Sequence, residues 1–578
     1  MPSQSIRALG AAALLALAAS GHANAQTLPY AGATGQSPGA GSPGAGSSGI
    51  SPDAAGDGAS AGPRHVRTPR IKLTPYIEAA QVVVAELSPG NDTVTYSSLA
   101  AGVDASVHGR NNEGALSLRY ERRFAWNGNR GSGDSITGVA RGSAAIIPHT
   151  LTFEAGALAA RSRVESNGAA VLGSLAQTDT ATQIYSLYAG PSLTTHVGDV
   201  AVGASYRAGY TAVRSPRTVV AAPALSTADV FDHSTVQSAA LSAAIKAGDV
   251  LPVGIALGAG YNREDISNLD QRIADFAVRG DVTLPVGPDL ALVAGVGYED
   301  VEISSRDALR DGAGNAVIGS DGRYVTDKSA PRLLAYDVSG LIYDAGVIWR
   351  PSRRTALEAH VGRRYGSTSV HGSFAYAPNA RSSFNVSVYD NVAGFGGQVN
   401  RALADLPTQF EAARNPLNGD LTGCVVALSK GNCLSGALGS VRSATFRARG
   451  IAASYGVDLG RIQAGVGAGY DRRKFIAATG TVLAAANGVV DQNYWAATYL
   501  NGRIDRQSSF ATNAHLNLFQ SGFASAGDAT AFGASAAYNR LLGNRISATA
   551  AVGLDGISRD TLPDFWSASA LVGVRYTF

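Results

Sequence analysis

Trp566-Ser-Ala-Ser-Ala-Leu-Val-Gly-Val-Arg-Tyr-Thr-Phe578 closes the chain. Every second residue (Trp566, Ala568, Ala570, Val572, Val574, Tyr576, Phe578) is apolar or aromatic, and the intervening series (Ser567, Ser569, Leu571, Gly573, Arg575, Thr577) is mostly small or polar. Alternation with period two predicts a strand with one apolar and one wet face. Aromatics at both ends of the apolar face predict contact with the two interfaces of a membrane. Twelve steps of ~3.3 Å at a tilt of ~45° climb about 30 Å, which accommodates an apolar band of ~25 Å and its flanks.

The other end of the chain agrees. Arg7 supplies a positive start, Ala8 to Ala19 form a short apolar core, and Ala23-Asn24-Ala25 makes a small-x-small cleavage site, so residues 1–25 read as a secretory signal peptide. That core is too short to span as a helix, and no later stretch reaches the roughly 20 apolar residues required. A membrane protein with this sequence must therefore be a barrel. Charged residues make up 16% of the chain, below the ~25% of ordinary soluble domains. The formal net charge of +3 gives no reason to expect nucleic acid as a partner.

Residues 26–70 are rich in Gly, Ser, Pro and Ala and cannot bury enough apolar surface to order themselves, so a disordered periplasmic tail is expected. Threading of this tail into the lumen as a partial plug is the other reading. From residue 71 to 578, alternating runs recur, and their number predicts an all-β, antiparallel up-and-down transmembrane barrel of about 22 strands, in the range 20–24. One set of connections is tight and carries turn residues, as at 111–114, 147–149, 285–288, 351–353, 378–380 and 543–544. The intervening set is longer: 165–179, 214–233, 304–337, 392–443 and 477–491. Short periplasmic turns opposite long external loops, with both chain ends on the periplasmic side, would produce that order. Tyr210, Tyr261, Tyr298 and Tyr470 each follow a glycine just before the sequence turns polar. With Trp126 and Trp566 they are expected to form the outer aromatic girdle, and Trp349 and Tyr576 the lower one. A soluble β-helix or propeller would need inner faces rich in Leu, Ile and Phe. The faces here instead carry Ser117, Arg119, Glu121 and Arg123.

Signatures of chemistry are sparse. The Gly-x-Gly run at 465–469 lies within a strand and does not open a helix, so it is no nucleotide loop. Histidines are scattered at 108, 149, 196, 233, 360, 371 and 515, and no Ser/His/Asp set converges from the sequence. Residues 311–323 lack the start and the closing Glu of a calcium loop and read as an external hairpin. No catalytic residue, cofactor or metal is expected. Cys424 and Cys433 sit close together in a Gly-rich loop, and in an oxidising compartment their pairing as a disulfide is the expectation. Zinc would want more ligands than the neighbourhood offers. Arg119, Glu121, Arg123, Arg141, Arg207, Arg279 and Asp281 are expected to face the lumen. There they form either a charge ring that sets selectivity or a cross-strand ion-pair ladder that stiffens the wall.

The closing strand, with its terminal Phe578, resembles the last strand of bacterial outer-membrane β-barrels, in which that residue helps the barrel-assembly machinery recognise its client. The runs Thr74-Pro-Tyr-Ile-Glu-Ala79, Val94 to Asp104 and Tyr120-Glu-Arg-Arg123 resemble the opening strands of outer-membrane proteins associated with the PEP-CTERM/exosortase system and exopolysaccharide loci. That resemblance covers residues 74–127. It implies a Gram-negative outer membrane, contact with lipid and lipopolysaccharide, and a polysaccharide or export partner. It supplies no catalytic residues. Gln81-Val-Val-Val84 superficially resembles the energy-coupling box of TonB-dependent transporters, but the folded plug domain which precedes their barrel has no counterpart in the tail. The leading expectation is a porin-like pore for hydrophilic solutes or secreted polysaccharide. A second is a closed scaffold whose loops 304–337 and 392–443 bind a partner or fold into the lumen. An outer-membrane hydrolase is the third.

Overall fold

Each strand is built by the same alternation as the last one. In Gln271–Pro285, Asp275, Ala277, Arg279 and Asp281 point inward and are buried, while Phe276, Val278, Val282 and Leu284 point outward and are exposed. The computed structural model describes residues 70–126, 132–164, 170–172, 181–214, 231–379, 381–426, 432–523, 527–560 and 562–578. The leader and all of the tail except Arg70 lie outside them.

The main sheet has 23 strands. One, Ala170–Leu172, pairs only with the end of Leu151–Val164. The other 22 form a ring in which each is antiparallel to its neighbours in sequence. The first, Arg70–Ser88, pairs with the last, Leu562–Thr577, from Tyr76 opposite Thr577 to Ser88 opposite Trp566, with one bulge near Glu86. Closure leaves the main ring without an edge strand, as lipid requires of backbone polar groups. Side chains reinforce the seam from within: Glu78 lies 3.0 Å from Arg119 and 3.5 Å from Arg575, and Arg575 also reaches Asp104 at 3.3 Å.

The outer surface carries exposed Leu, Val, Ile and aromatic side chains on nearly every strand, among them Leu99, Leu257, Val296, Leu341, Val466 and Val572. A continuous apolar belt of this extent needs lipid to cover it. No described helix is long and apolar enough to cross a membrane, so strands do the spanning. Trp126, Tyr210, Tyr261, Tyr298, Trp349 and Trp566 are exposed on that surface. Tyr470 is half-buried against Tyr494, with ring centroids 4.8 Å apart, and Tyr576 against Phe578 at 5.0 Å.

The two ends differ. Both described termini lie at one end, where turns are short. At the other, 306–332 folds into a bridged hairpin, and Asp311 accepts backbone N–H groups from Ala313 and Asn315. It is tied to 476–489 through Asp307 Oδ1 and the Val482 N–H at 2.8 Å. Alternation of loop length is not strict: the connections at 267–270 and 365–366 on this end are also tight.

The described residues of 394–445, which are 394–426 and 432–445, do not extend outward. They fold into the barrel as the helix Phe395–Ala404, a small sheet of Glu411–Arg414, Leu421–Val426 and Asn432–Cys433, and a one-turn helix, Ser435–Leu438. Phe395, Val399, Leu403 and Leu406 are fully buried and pack on Leu158, Ile184, Tyr188 and Val213 of the wall. Of the two readings of loop 392–443, binding a partner or folding into the lumen, the described residues adopt the second. Where the loop docks, the inner face turns apolar because it has protein, and not water, as its neighbour.

Candidate functional site: the occupied lumen

A barrel of this many strands encloses far more space than wall side chains can fill, and barrels of this class carry a plug. Here the filling comes from the chain between the strands Ser382–Ala393 and Phe446–Asp458, which pair directly, Ala393 opposite Phe446. Loop and wall meet through a series of specific contacts.

The helix Phe395–Ala404 begins at Gly394, which is extended and offers no side-chain cap. Its free N–H groups instead find the wall carboxylate of Glu264, which accepts from Gly394 at 2.7 Å and Gly397 at 2.9 Å, and from the Ser234 hydroxyl at 3.0 Å. A negative charge at a helix N-terminus also matches the helix dipole. The approach needs glycine: a Cβ on Gly397 would collide with the Glu264 carboxylate. One turn on, Asn400 Nδ2 donates to Ser186 Oγ at 3.0 Å and to the Leu187 carbonyl at 3.1 Å.

The loop then descends to the terminal end. Thr408 donates to Glu113 at 3.0 Å, and Gln409 contacts His108, beside the turn between the second and third strands. It thus runs most of the height of the wall. Arg414 donates to Ser117 and Thr137. Gly419, at φ +67°, accommodates Arg119 where a side chain would not fit. Asp420 pairs with the buried Arg161 at 3.3 Å. Burial pushes the Asp420 carboxyl above the ordinary aspartate range, against the pull of Arg161 and Arg123. On the way out, Arg473 donates to the carbonyls of Ser440 and Gly436, Arg442 lies 3.1 Å from Asp491, and Gln271 holds the Ser443 carbonyl.

The charged residues expected in the lumen all face it. Arg119, Glu121 and Arg123 form one buried chain, with Arg119 3.0 Å from Glu121. Arg141 donates to Tyr188 Oη at 3.0 Å and approaches Glu154 at 3.4 Å. Arg207 lies over the Tyr188 ring and lines a cavity beside the helix with Asn262, Asp275, Tyr365, Asn400 and Arg401. Arg279 is joined to Asp281 and, across the adjacent strand, to Asp344. Cys424 lies directly opposite Cys433 in the antiparallel pair of the small sheet. Their side chains lie outside the described residues.

The sequence reading missed two sets of residues. The anchors Glu264, Asn400, Arg414 and Asp420 gave no local signal, although Phe395, Val399 and Leu403 recur at helical spacing and could have revealed the helix. It also missed a cluster on the wall strands between Glu264 and the start of the loop, Asp344, His360 and His371. His360 and His371 are equidistant from the Tyr365-Gly366 turn, which places them side by side on neighbouring strands.

No family model and no curated protein matches the sequence. In overall shape the chain is similar to the FrpB iron transporter of Neisseria meningitidis, F5-1 variant (TM-score 0.40, 10% identity, covering 87% of this chain and 81% of that one). It is similar also to the ferric-catecholate import receptor Fiu of E. coli in its closed form (0.39, 9%, 87% and 81%). A third is the alcaligin outer-membrane receptor FauA of Bordetella pertussis (0.36, 10%, 87% and 76%). Nothing about this chain's cargo follows from a likeness this distant.

Proposed function

We propose that the protein is an outer-membrane barrel that carries hydrophilic solutes through a lumen narrowed by its own loop 394–445. The observation that supports this most is the docking of that loop along most of the wall's height through side-chain hydrogen bonds and the buried ion pairs Asp420–Arg161 and Arg442–Asp491. Such contacts are individually breakable, so the loop can act as a constriction with docked and released states. A covering of polar and charged wall groups, including Arg207, Arg279 and Asp281, suits a hydrated passage. Insertion would rely on the secretory leader and, at Phe578, on the assembly machinery.

The resemblance of residues 74–127 to exopolysaccharide-associated proteins makes a secreted polysaccharide the second passenger class. A polymer would need the loop displaced, whereas small solutes can use the space beside it. Proteoliposome swelling with sugars of graded size tests the reading. Entry of small sugars, with a size cut-off that rises when the loop is removed, is the expected result. Liposomes that swell with no sugar, with or without the loop, would overturn it.

A further inference from the structure

We propose that Asp344, His360 and His371 form a binding site for one divalent transition-metal ion on the inner wall of the barrel, a site distinct from the docked loop. The three residues come from three consecutive strands, Leu333–Ser352, Thr355–Arg364 and Ser367–Asn379. One ligand atom from each lies within 4.8 Å of the others. Around a tetrahedral ion with bonds of ~2.0–2.2 Å such atoms sit about 3.4 Å apart, so an approach of about 1.4 Å together with a turn of one imidazole closes the set.

The surroundings are those of a built site. The imidazoles of His360 and His371 stack in parallel, with centroids 4.9 Å apart and 1° between planes, so one ring must turn for both in-plane lone pairs to meet at one ion. Nδ1 of His360 faces Asp344 Oδ1 at 3.5 Å, and its Nε2 faces Glu358 Oε1 at 3.4 Å. An ion held by Nδ1 and Asp344 therefore leaves Nε2–H directed at a carboxylate, the arrangement that orients metal-bound histidines and raises their basicity. Gly346, opposite His360, leaves the ring its space, since a Cβ there would strike the imidazole.

Charge agrees as well. Asp281, Asp344 and Glu358 surround the position with three carboxylates, against the guanidinium of Arg279, which bonds Asp281 and both oxygens of Asp344, and that of Arg364, which also acts on His371. With neutral imidazoles this leaves a net negative charge for a divalent cation to offset. Two imidazoles and one carboxylate favour Zn²⁺, Cu²⁺, Ni²⁺, Co²⁺ or Fe²⁺ over Ca²⁺ and Mg²⁺, which prefer oxygen-only sites. The competing occupant of this space is a proton, with His360 as an imidazolium bridging Asp344 and Glu358.

The test uses untagged, detergent-folded full-length barrel stripped with EDTA and then titrated with Zn²⁺ by equilibrium dialysis. The expected result is one ion per barrel, with affinity reduced at least ~100-fold in His371→Ala and Asp344→Asn, and ~10-fold in Glu358→Gln. Absence of retained Zn²⁺, or equal affinity in the wild type and His371→Ala, would overturn the proposal. Should the variants fail to fold, Cu²⁺ electron paramagnetic resonance of the wild type decides. Coupling to two imidazole nitrogens supports the site, and an oxygen-only spectrum rejects it. Both readouts are independent of conductance, so the site stands or falls separately from the transport reading.

Discussion

The carboxylate of Glu264, on the barrel wall, accepts the backbone N–H of Gly394, at the start of the inward loop, over 2.7 Å. The same carboxylate takes the N–H of Gly397, so one wall residue caps a helix that has no cap of its own. Glu264→Ala would strand two buried N–H groups at about 1–3 kcal/mol each. The expected outcome is a folded barrel with a loosened loop. Trypsin should then cut after Arg401 and Arg414, located by mass spectrometry, where the wild type resists.

Arg161→Ala tests the other anchor. Asp420 would be left charged and unpaired at a buried position, a loss of about 3–5 kcal/mol for pairs of this kind. Protection of Arg414 from trypsin should fall to that of a loop detached from the wall, with the strands' far-UV circular dichroism unchanged.

Asp420 also sets a direction for pH. Its carboxyl is raised in the docked loop by burial, with Arg161, Arg123, Glu121 and Arg119 as its charged neighbours. A released loop restores the ordinary value, so the docked state binds the proton more tightly. Docking is then penalised at neutral pH and strengthened as pH falls through the docked value, with no further gain below the ordinary ~3.9. Loop protection should rise on acidification. The double variant Asp420→Asn, Arg161→Gln should lose that dependence. Acid-induced release in the wild type that the double variant lacks would contradict the assignment.

The membrane reading rests on the outward belt that includes Leu257, Leu341 and Val572. Alkaline carbonate should leave the protein in the membrane pellet, and detergent should release it folded. Phe578, whose N–H donates to the Pro75 carbonyl at 3.1 Å beside the closing seam, is expected to matter for assembly. Phe578→Ala should lower the amount of folded barrel in the outer membrane, measured by quantitative immunoblot of heated and unheated samples.

The barrel was legible because lipid outside and water inside write an alternation that each strand carries alone. Trp566 to Phe578 shows it without help from any partner. The lumen's contents were not, because contacts such as Glu264 with Gly394 and Asp420 with Arg161 join residues far apart in sequence. No period or spacing in either segment records the other. The stretch 392–443 has the composition of a loop and left external display and folding into the lumen both open, and the Phe395, Val399, Leu403 stripe was the local hint of burial. Cross-strand sites lie between these cases. His360 and His371 could have been paired from the Tyr365-Gly366 turn, had that turn been recognised as a two-residue connection.

Single-channel conductance in planar bilayers tests the central claim most directly. Because Ala393 and Phe446 are already paired, residues 394–445 can be replaced by a two-residue turn without disturbing the wall. The wild type should conduct weakly, and the shortened protein should conduct on the order of tenfold more. Equal conductance in the two proteins would mean that the loop does not narrow the passage.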